Sequence, residues 1–252
     1  MKIGGSVALV TGGSGGLGAE ICRRLADNGA RVAVGYRSSL ERAQDVCKAI
    51  REQGGEANPV KVDHANPDST AKCVEEVVRT FGGLDILVNN AGMGSGGHRL
   101  RDGDLDAFTP EIWEEMLGVN FSGPYFMTRS AGHHLRASNW GRVVNLSSTI
   151  GHGPGGAAAA YAPSKAAIVP LTRFLAAALA PDVTVNCVSP GLMEGTQMSG
   201  GAPEVFVDMW RDRSLLGATT SIRDVANQVL LFCQSETATG QTVVVDGGIN
   251  FN

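Results

Sequence analysis

The chain has 252 residues, 43% of them apolar and 18% charged, which excludes a disordered or coiled-coil polymer and leaves enough chain to bury its own core. Its net charge of −4 offers no positive field to collect phosphates, so nucleic acid is not an expected partner. The 34 glycines, about twice the usual share, follow no G-X-Y period and mark tight connections, not collagen.

Residues 7–10 are a continuous apolar run and read as a first strand. The stretch Thr11-Gly12-Gly13-Ser14-Gly15-Gly16-Leu17-Gly18 follows, then a helix to about residue 28, closed by Gly29. A second strand is expected over 31–36, and a helix over 40–53 that Gly54 and Gly55 stop. Strand 59–62, helix 68–81 and strand 84–88 come next. A long helix over 110–137, strand 142–146, helix 160–180, strand 183–188, helix 221–233 and strand 242–245 complete the pattern. The runs VALV, ILV, VVNL and VTVNCV are apolar without alternation, as in strands covered on both faces of a parallel sheet. The expected fold is α/β: a single doubly wound domain over 1–252, its sheet predominantly parallel and roughly seven-stranded. Residues 93–109 and 192–220 are too long for ordinary connections and are candidate substrate loops. Pro170 lies inside the 160–180 helix, and Gly123-Pro124 inside the 110–137 helix. Both helices should bend there, the second close to Asn120.

The five cysteines, Cys22, Cys47, Cys73, Cys187 and Cys233, include no CxxC pair, so no metal site and no disulfide framework is indicated. Reduced thiols and an N-terminus without an apolar leader fit a cytoplasmic protein. No run of about 18 apolar residues is present to enter a membrane.

Two chemistries fit the glycine-rich stretch. Gly12, Gly16 and Gly18 end a strand and open a helix, where the backbone can approach a pyrophosphate at a helix N-terminus. The same stretch contains G-x-S-x-G, the elbow of a serine hydrolase, with Ser14 as nucleophile. That fold places the serine after a mid-sheet strand with a histidine near the C-terminal end. His64, His98, His133, His134 and His152 all fall too early. The dinucleotide reading is therefore preferred. The second strand ends in Tyr36, Arg37, Ser38 and Ser39, with no acid before Glu41. A guanidinium beside two hydroxyls suits a 2′-phosphate, favouring NADP(H) over NAD(H).

Tyr161 and Lys165 are spaced i, i+4 and share a helix face. A nearby ammonium favours the phenolate, so the spacing predicts a phenol with lowered pKa. Ser148 lies 13 residues earlier, just past a buried strand. Its neighbour Ser147 should face the other way, because successive strand residues alternate. Asn89-Asn90-Ala91-Gly92 closes the fourth strand, and Asn120 interrupts an otherwise apolar helix.

These motifs together resemble the short-chain dehydrogenase/reductase family, particularly ketoreductases like the 3-oxoacyl-carrier-protein reductases. They are TGGSGGLG at 11–18, Asp63, NNAG at 89–92, Asn120, Ser148, YAPSK at 161–165, Pro190-Gly191 and Asp246-Gly247-Gly248. The resemblance spans nearly the whole chain and implies a Rossmann fold. It implies a catalytic tetrad of Asn120, Ser148, Tyr161 and Lys165 acting on a ketone or secondary alcohol. Tyr161 would exchange the proton and Ser148 would hold the substrate oxygen. Lys165 would bind the nicotinamide ribose, and Asn120 would hold a water. The cofactor would lie against Gly12, Ser14, Gly15, Gly16, Leu17, Gly18, Tyr36, Arg37, Ser38, Asp63, the His64 backbone, Asn90, Ala91, Gly92, Pro190, Gly191, Met193 and Thr196. Family members are commonly tetramers or dimers that pair their long helices, here those carrying Asn120 and Tyr161. A 3-oxoacyl-thioester reductase using Arg129 and Arg173 for a carrier's phosphate stays open, as does a non-catalytic dinucleotide sensor. Met193, Met198, Met209 and Trp210 read equally as an adaptable apolar lid or as helix packing. The small side chains of GHGPGGAAAA at 151–160 read as a wide pocket or as loop filler.

Overall fold

The computed structural model describes residues 3–94, 108–153, 160–200 and 202–251. Strand β1 (Val7–Val10), helix α1 (Gly16–Asp27), strand β2 (Arg31–Tyr36) and helix α2 (Leu40–Glu52) open the chain. Strand β3 (Glu56–Lys61), helix α3 (Pro67–Phe81) and strand β4 (Ile86–Asn89) follow. Helices α4 (Pro110–Leu117) and α5 (Gly123–Ala137) lead to strand β5 (Gly141–Leu146). Helices α6 (Tyr161–Ala166) and α7 (Ile168–Leu179), strand β6 (Val183–Pro190), helices α8 (Glu204–Arg213) and α9 (Ile222–Gln234) and strand β7 (Thr242–Val245) complete the order.

The seven strands form one sheet in the order β3-β2-β1-β4-β5-β6-β7, every neighbouring pair parallel. Alternate residues of β1 face opposite layers, as the pleat requires. Ala8 and Val10 join α1, α2 and α9 in one core. Val7 and Leu9 join α3, α5 and α7 in the other. Strand order reverses between β1 and β4, so the loops after those two strands diverge and leave a crevice at their carboxyl ends.

Two departures from the sequence pattern, and two helix breaks it anticipated, have local causes. Strand β3 starts three residues earlier than expected, at Glu56. It is an edge strand with one partner, so its alternating exposure and Pro59 are tolerated. The helix expected over 110–137 is interrupted by a π-helical turn, Gly118–Ser122, with Asn120 at its centre. That is the bend expected at Gly123-Pro124. The 160–180 helix breaks at Ala167, three residues before Pro170, whose missing N–H removes the bond to Ala166. The stretch 192–220 is not irregular throughout, because α8 lies within it. Val207 and Trp210 form its buried face, an i, i+3 pair visible in the sequence but too short a period to stand out. Of the other expected substrate loop, 95–107 lies outside the described residues, as does 154–159 of the small-residue stretch.

Candidate active site

The crevice floor is built by a threonine that the sequence reading passed over. Thr11 Oγ1 accepts from the backbone N–H groups of Asn90 (3.1 Å) and Ala91 (3.0 Å), tying the loop after β4 to the loop after β1. The Asn90 amide donates back to the carbonyls of Thr11 (2.9 Å) and Gly12 (3.2 Å). Its side-chain N–H groups therefore fasten the loop, and its remaining polar atoms are what a nucleotide can use. Gly12 has φ +63°, a left-handed conformation that favours glycine. Gly18 packs so closely that a Cβ there would lie 2.1 Å from the Gly12 carbonyl oxygen. In front of α1, by contrast, a Cβ on Gly15 would meet nothing within 4 Å. Leu17 is buried and anchors α1, while Ser14 is partly exposed at the loop. The loop, its close backbone approach and the open space at a helix N-terminus fit a dinucleotide pyrophosphate.

At the end of β2, Tyr36 is half-buried and Arg37 and Ser38 are exposed. Tyr36, Arg37 and Asp63 line a cleft of about 740 Å3 together with Ser69, Lys61 and Lys72. Asp63 is fixed locally, its Oδ1 accepting from Ala65 N at 3.1 Å and its N–H donating to Ser69 Oγ at 2.9 Å. Arg37, Lys61 and Lys72 give this cleft three cations against the carboxylates of Asp63 and Glu76, a net positive lining suited to a phosphate beyond the pyrophosphate.

On the other side of the crevice, Ser147 turns inward and donates to the Lys165 carbonyl at 2.6 Å. Ser148 turns outward, caps the short 3-10 turn Thr149–Gly151 and hydrogen-bonds the Tyr161 phenol. The expected alternation of the two serines is what the strand end delivers. Lys165 is buried and donates to the Leu146 carbonyl at 3.0 Å. A Cβ on Gly92 would lie 3.3 Å from Lys165 Nζ and 3.5 Å from Asn120 Oδ1, so NNAG, Asn120 and Lys165 converge. The Asn120 side chain accepts from Met93 N and donates to Met93 O, both at 2.8 Å, and donates to Ser164 Oγ at 3.1 Å. It thus clamps the exit of β4 to α6.

The expected acidification of the phenol by the ammonium is not what the side chains show. Burial pushes the Tyr161 phenol above its ordinary value, and the Ser148 hydrogen bond offsets only part of this. Burial lowers the Lys165 ammonium to about 8. Lys165 Nζ is directed to Leu146 O, and the two hydroxyls face each other without it.

The remaining walls come from the C-terminal third. Pro190 ends β6 buried, and Gly191 N donates to Val245 O at 2.9 Å. Thr149 bonds Asp246 and Asn250, and Asp246 also accepts from the N–H groups of Gly248 (3.0 Å), Ile249 (3.1 Å) and Asn250 (3.0 Å). Burial alone would raise the Asp246 carboxyl, and these bonds hold it below the usual carboxylate range. The turn carrying Ser148 is therefore tied to the C-terminus, a support the sequence signalled only as the motif Asp246-Gly247-Gly248. The loop after β6 folds back over the crevice. Thr196 lies 3.5 Å from where a Gly16 Cβ would be, and the Tyr161 hydroxyl donates to Met198 Sδ at 3.5 Å. Arg211 pairs with Glu194 (3.0 Å), Glu204 (2.8 Å) and Asp208 (2.8 Å), fastening this loop to α8. Met193, Met198, Met209 and Trp210 fall in different places, Met209 being exposed. Met193 packs on the core and Trp210 packs in α8, whereas Met198 lies over the phenol.

Ser14 gains no hydrolytic partner among the described histidines that point inward: His64 Nδ1 bonds the Val119 carbonyl (3.1 Å) and His152 Nε2 bonds Ser189 Oγ (2.9 Å).

A doubly wound parallel sheet, a glycine-rich loop at its switch point and a serine, tyrosine and lysine beside it define an oxidoreductase of the dinucleotide-binding class. The short chain dehydrogenase profile matches residues 6–204. A granaticin polyketide synthase putative ketoacyl reductase 2 from Streptomyces violaceoruber is 38% identical, covering 96% of this chain and 95% of that protein. The 3-oxoacyl-[acyl-carrier-protein] reductase FabG of Aquifex aeolicus is 36% identical, with 99% of each covered. The crystal structure of a short chain dehydrogenase from Burkholderia cenocepacia in complex with NADP superposes with TM-score 0.90 at 37% identity, covering 100% of both chains. The chain belongs to the short-chain dehydrogenase family, and it is an oxidoreductase using a nicotinamide dinucleotide. Among the described residues, no helix is long and apolar enough to cross a membrane.

Proposed function

We propose that the protein is an NADP(H)-dependent ketoreductase that interconverts a ketone and a secondary alcohol, with Tyr161 as general acid in reduction and general base in oxidation. The observation that carries this reading is the Ser148–Tyr161 hydroxyl pair at the crevice, with Lys165 one helical turn away. NADP(H), when bound, supplies or accepts the hydride. Gly12, Ser14, Gly15, Gly16, Leu17 and Gly18 would cradle its pyrophosphate. Tyr36, Arg37, Ser38, Asp63 and the His64 backbone would surround its adenosine end. Asn90, Ala91, Gly92, Pro190, Gly191, Met193 and Thr196 would flank the rest. Ser148 would hold the substrate oxygen as charge develops on it. A substrate carbonyl must take the place of Met198 Sδ, because the phenol has a single proton to donate.

The two curated relatives favour 3-oxoacyl thioesters as one substrate class, since both are named as ketoacyl or 3-oxoacyl reductases. Arg129 on α5 and Arg173 on α7 are exposed, as a carrier's phosphate would require. Nicotinamide absorbance with NADPH or NADH, across simple ketones, bulky ketones and 3-oxoacyl thioesters, tests the assignment. Absence of turnover with every carbonyl and alcohol would leave the dinucleotide-sensor alternative. Large apolar residues on the outer faces of α5 and α7 (Tyr125 39% exposed, Phe174 60%) suit pairing of two copies.

Arg37→Ala should raise the KM for NADPH about ten- to hundredfold, the range for a charge-assisted bond, and leave that for NADH nearly unchanged. An NADH preference in the unaltered enzyme would refute the cofactor assignment. The pH dependence follows from the two shifted groups. Below about 8 Lys165 is charged, and Tyr161 stays protonated well beyond that. Reduction at sub-saturating NADPH should therefore be level near neutrality and fall as pH rises through about 8, where Lys165 loses the charge that would hold the nicotinamide ribose. Oxidation, which needs the phenolate, should rise with pH instead. A reduction rate that climbs between pH 8 and 10 would contradict it.

A further inference from the structure

The π-helical turn Gly118–Ser122 creates a vacancy in its own hydrogen bonding. Gly123 N–H donates to Gly118 O, five residues back, so it is not available to Val119 O, its partner in an α-helix. In the π register Val119 O would accept from residue 124, which is Pro124 and carries no N–H. The Val119 carbonyl is thus deprived by both registers at once.

His64 stands in that gap. Its ring is buried, 3% exposed, and Nδ1 lies 3.1 Å from Val119 O. A carbonyl only accepts, so the proton sits on Nδ1. Nε2 is left without a partner of good geometry, as is Oδ1 of Asn89, whose amide N–H groups go to Asn145 (2.8 Å) and Thr128 (3.1 Å). The turn is shaped to receive the ring. A Cβ on Gly123 would lie 2.4 Å from His64 Nδ1, and one on Gly118 would lie 3.3 Å from the Ala65 Cβ. The glycines at both ends of the turn therefore seat residues 64 and 65.

We propose that His64 is a positioning residue: its Nδ1–H replaces the backbone donor that the π turn and Pro124 remove, and so fixes the turn that presents Asn120 to Met93, Ser164 and the Lys165 side of the crevice. The preceding residue, Asp63, lines the cleft at the end of β2. One tripeptide therefore touches both the region assigned to adenosine and the support of the catalytic end. This inference rests on the ketoreductase reading only for its kinetic consequence.

The test compares His64→Leu, His64→Asn and His64→Gln in the full chain, with and without Pro124→Ala. Asparagine places an amide donor near the Nδ1 position; glutamine's donor lies one bond farther out. His64→Leu and His64→Gln should lower kcat about tenfold, as for an orphaned buried carbonyl, with NADPH affinity changed less than threefold. Amide hydrogen exchange across 118–123 should quicken in both. His64→Asn should keep kcat and exchange near the unaltered enzyme. Pro124→Ala returns an N–H to the π register and should restore much of the loss in His64→Leu. If His64→Leu does not fold, the asparagine and glutamine pair decides. Equal behaviour of those two, or unchanged exchange in His64→Gln, overturns the proposal. An unaltered enzyme inactive on every carbonyl would sink the function reading, while the exchange measurement would still judge His64.

Discussion

Tyr161→Phe should lower the kcat of ketone reduction by about 10²- to 10⁴-fold, the usual weight of a positioned general acid, with little change in NADPH affinity. The substitution removes one oxygen and keeps the ring. That oxygen bonds Ser148 and Met198, and no described backbone contact depends on it. The fold should therefore persist, and thermal melting should shift by only a degree or two. Burial raises the phenol's pKa, so at neutral pH the group is almost wholly protonated and ready to donate to a carbonyl oxygen. Ser148→Ala should act in the same direction with a smaller loss, because it removes stabilisation of the oxygen but not the proton. NADPH fluorescence titration and steady-state kinetics on the same preparation check both halves. A Phe variant within threefold of the unaltered kcat would mean the proton comes from elsewhere.

Gly18→Ala should remove cofactor binding and destabilise the fold by about 3 kcal/mol, as for an overpacked site. In a chain of this size that corresponds to a fall in Tm of roughly 6–12 °C. The added methyl would stand 2.1 Å from the Gly12 carbonyl oxygen, 2.8 Å from its carbon and 2.6 Å from Asn90 Nδ2. Two of these neighbours are backbone, and the third holds the loops together, so none can yield without parting α1 from the end of β1. Gly15→Ala is the control. Gly15 has φ 179°, extended backbone open to any residue, and its Cβ would meet nothing within 4 Å. The control should melt like the unaltered protein, and any loss in it should be confined to cofactor affinity. If Gly18→Ala melts normally and binds NADPH, the close approach does not constrain the loop.

Most of the scaffold was legible because buried parallel strands and amphipathic helices write themselves locally. VALV and RVAVGY could be bounded by residue, since their ends coincide with glycine turns and with the limits of the apolar runs. Strand β3 was harder: an edge strand alternates and admits Pro59, so half of it looks like loop. Tyr161 and Lys165 stood out as an i, i+4 pair, while their grouping with Ser148 and Asn120 came from the family resemblance; the two prolines announced both helix breaks.

What the sequence carried alone was the class of fold and the positions proposed for the dinucleotide and catalytic residues. Each of these follows from periodicity and from motifs confined to a few neighbouring residues. The tertiary structure decided the proton affinities and the supports. The spacing of Tyr161 and Lys165 predicts an acidified phenol, yet the ammonium bonds Leu146 and burial raises the phenol, because desolvation depends on everything packed around a group. The same holds for Thr11 under Asn90, Met198 over Tyr161 and His64 beneath the π turn. Those contacts join residues 37 to 79 positions apart, and only the folded chain brings such partners within a hydrogen bond of each other.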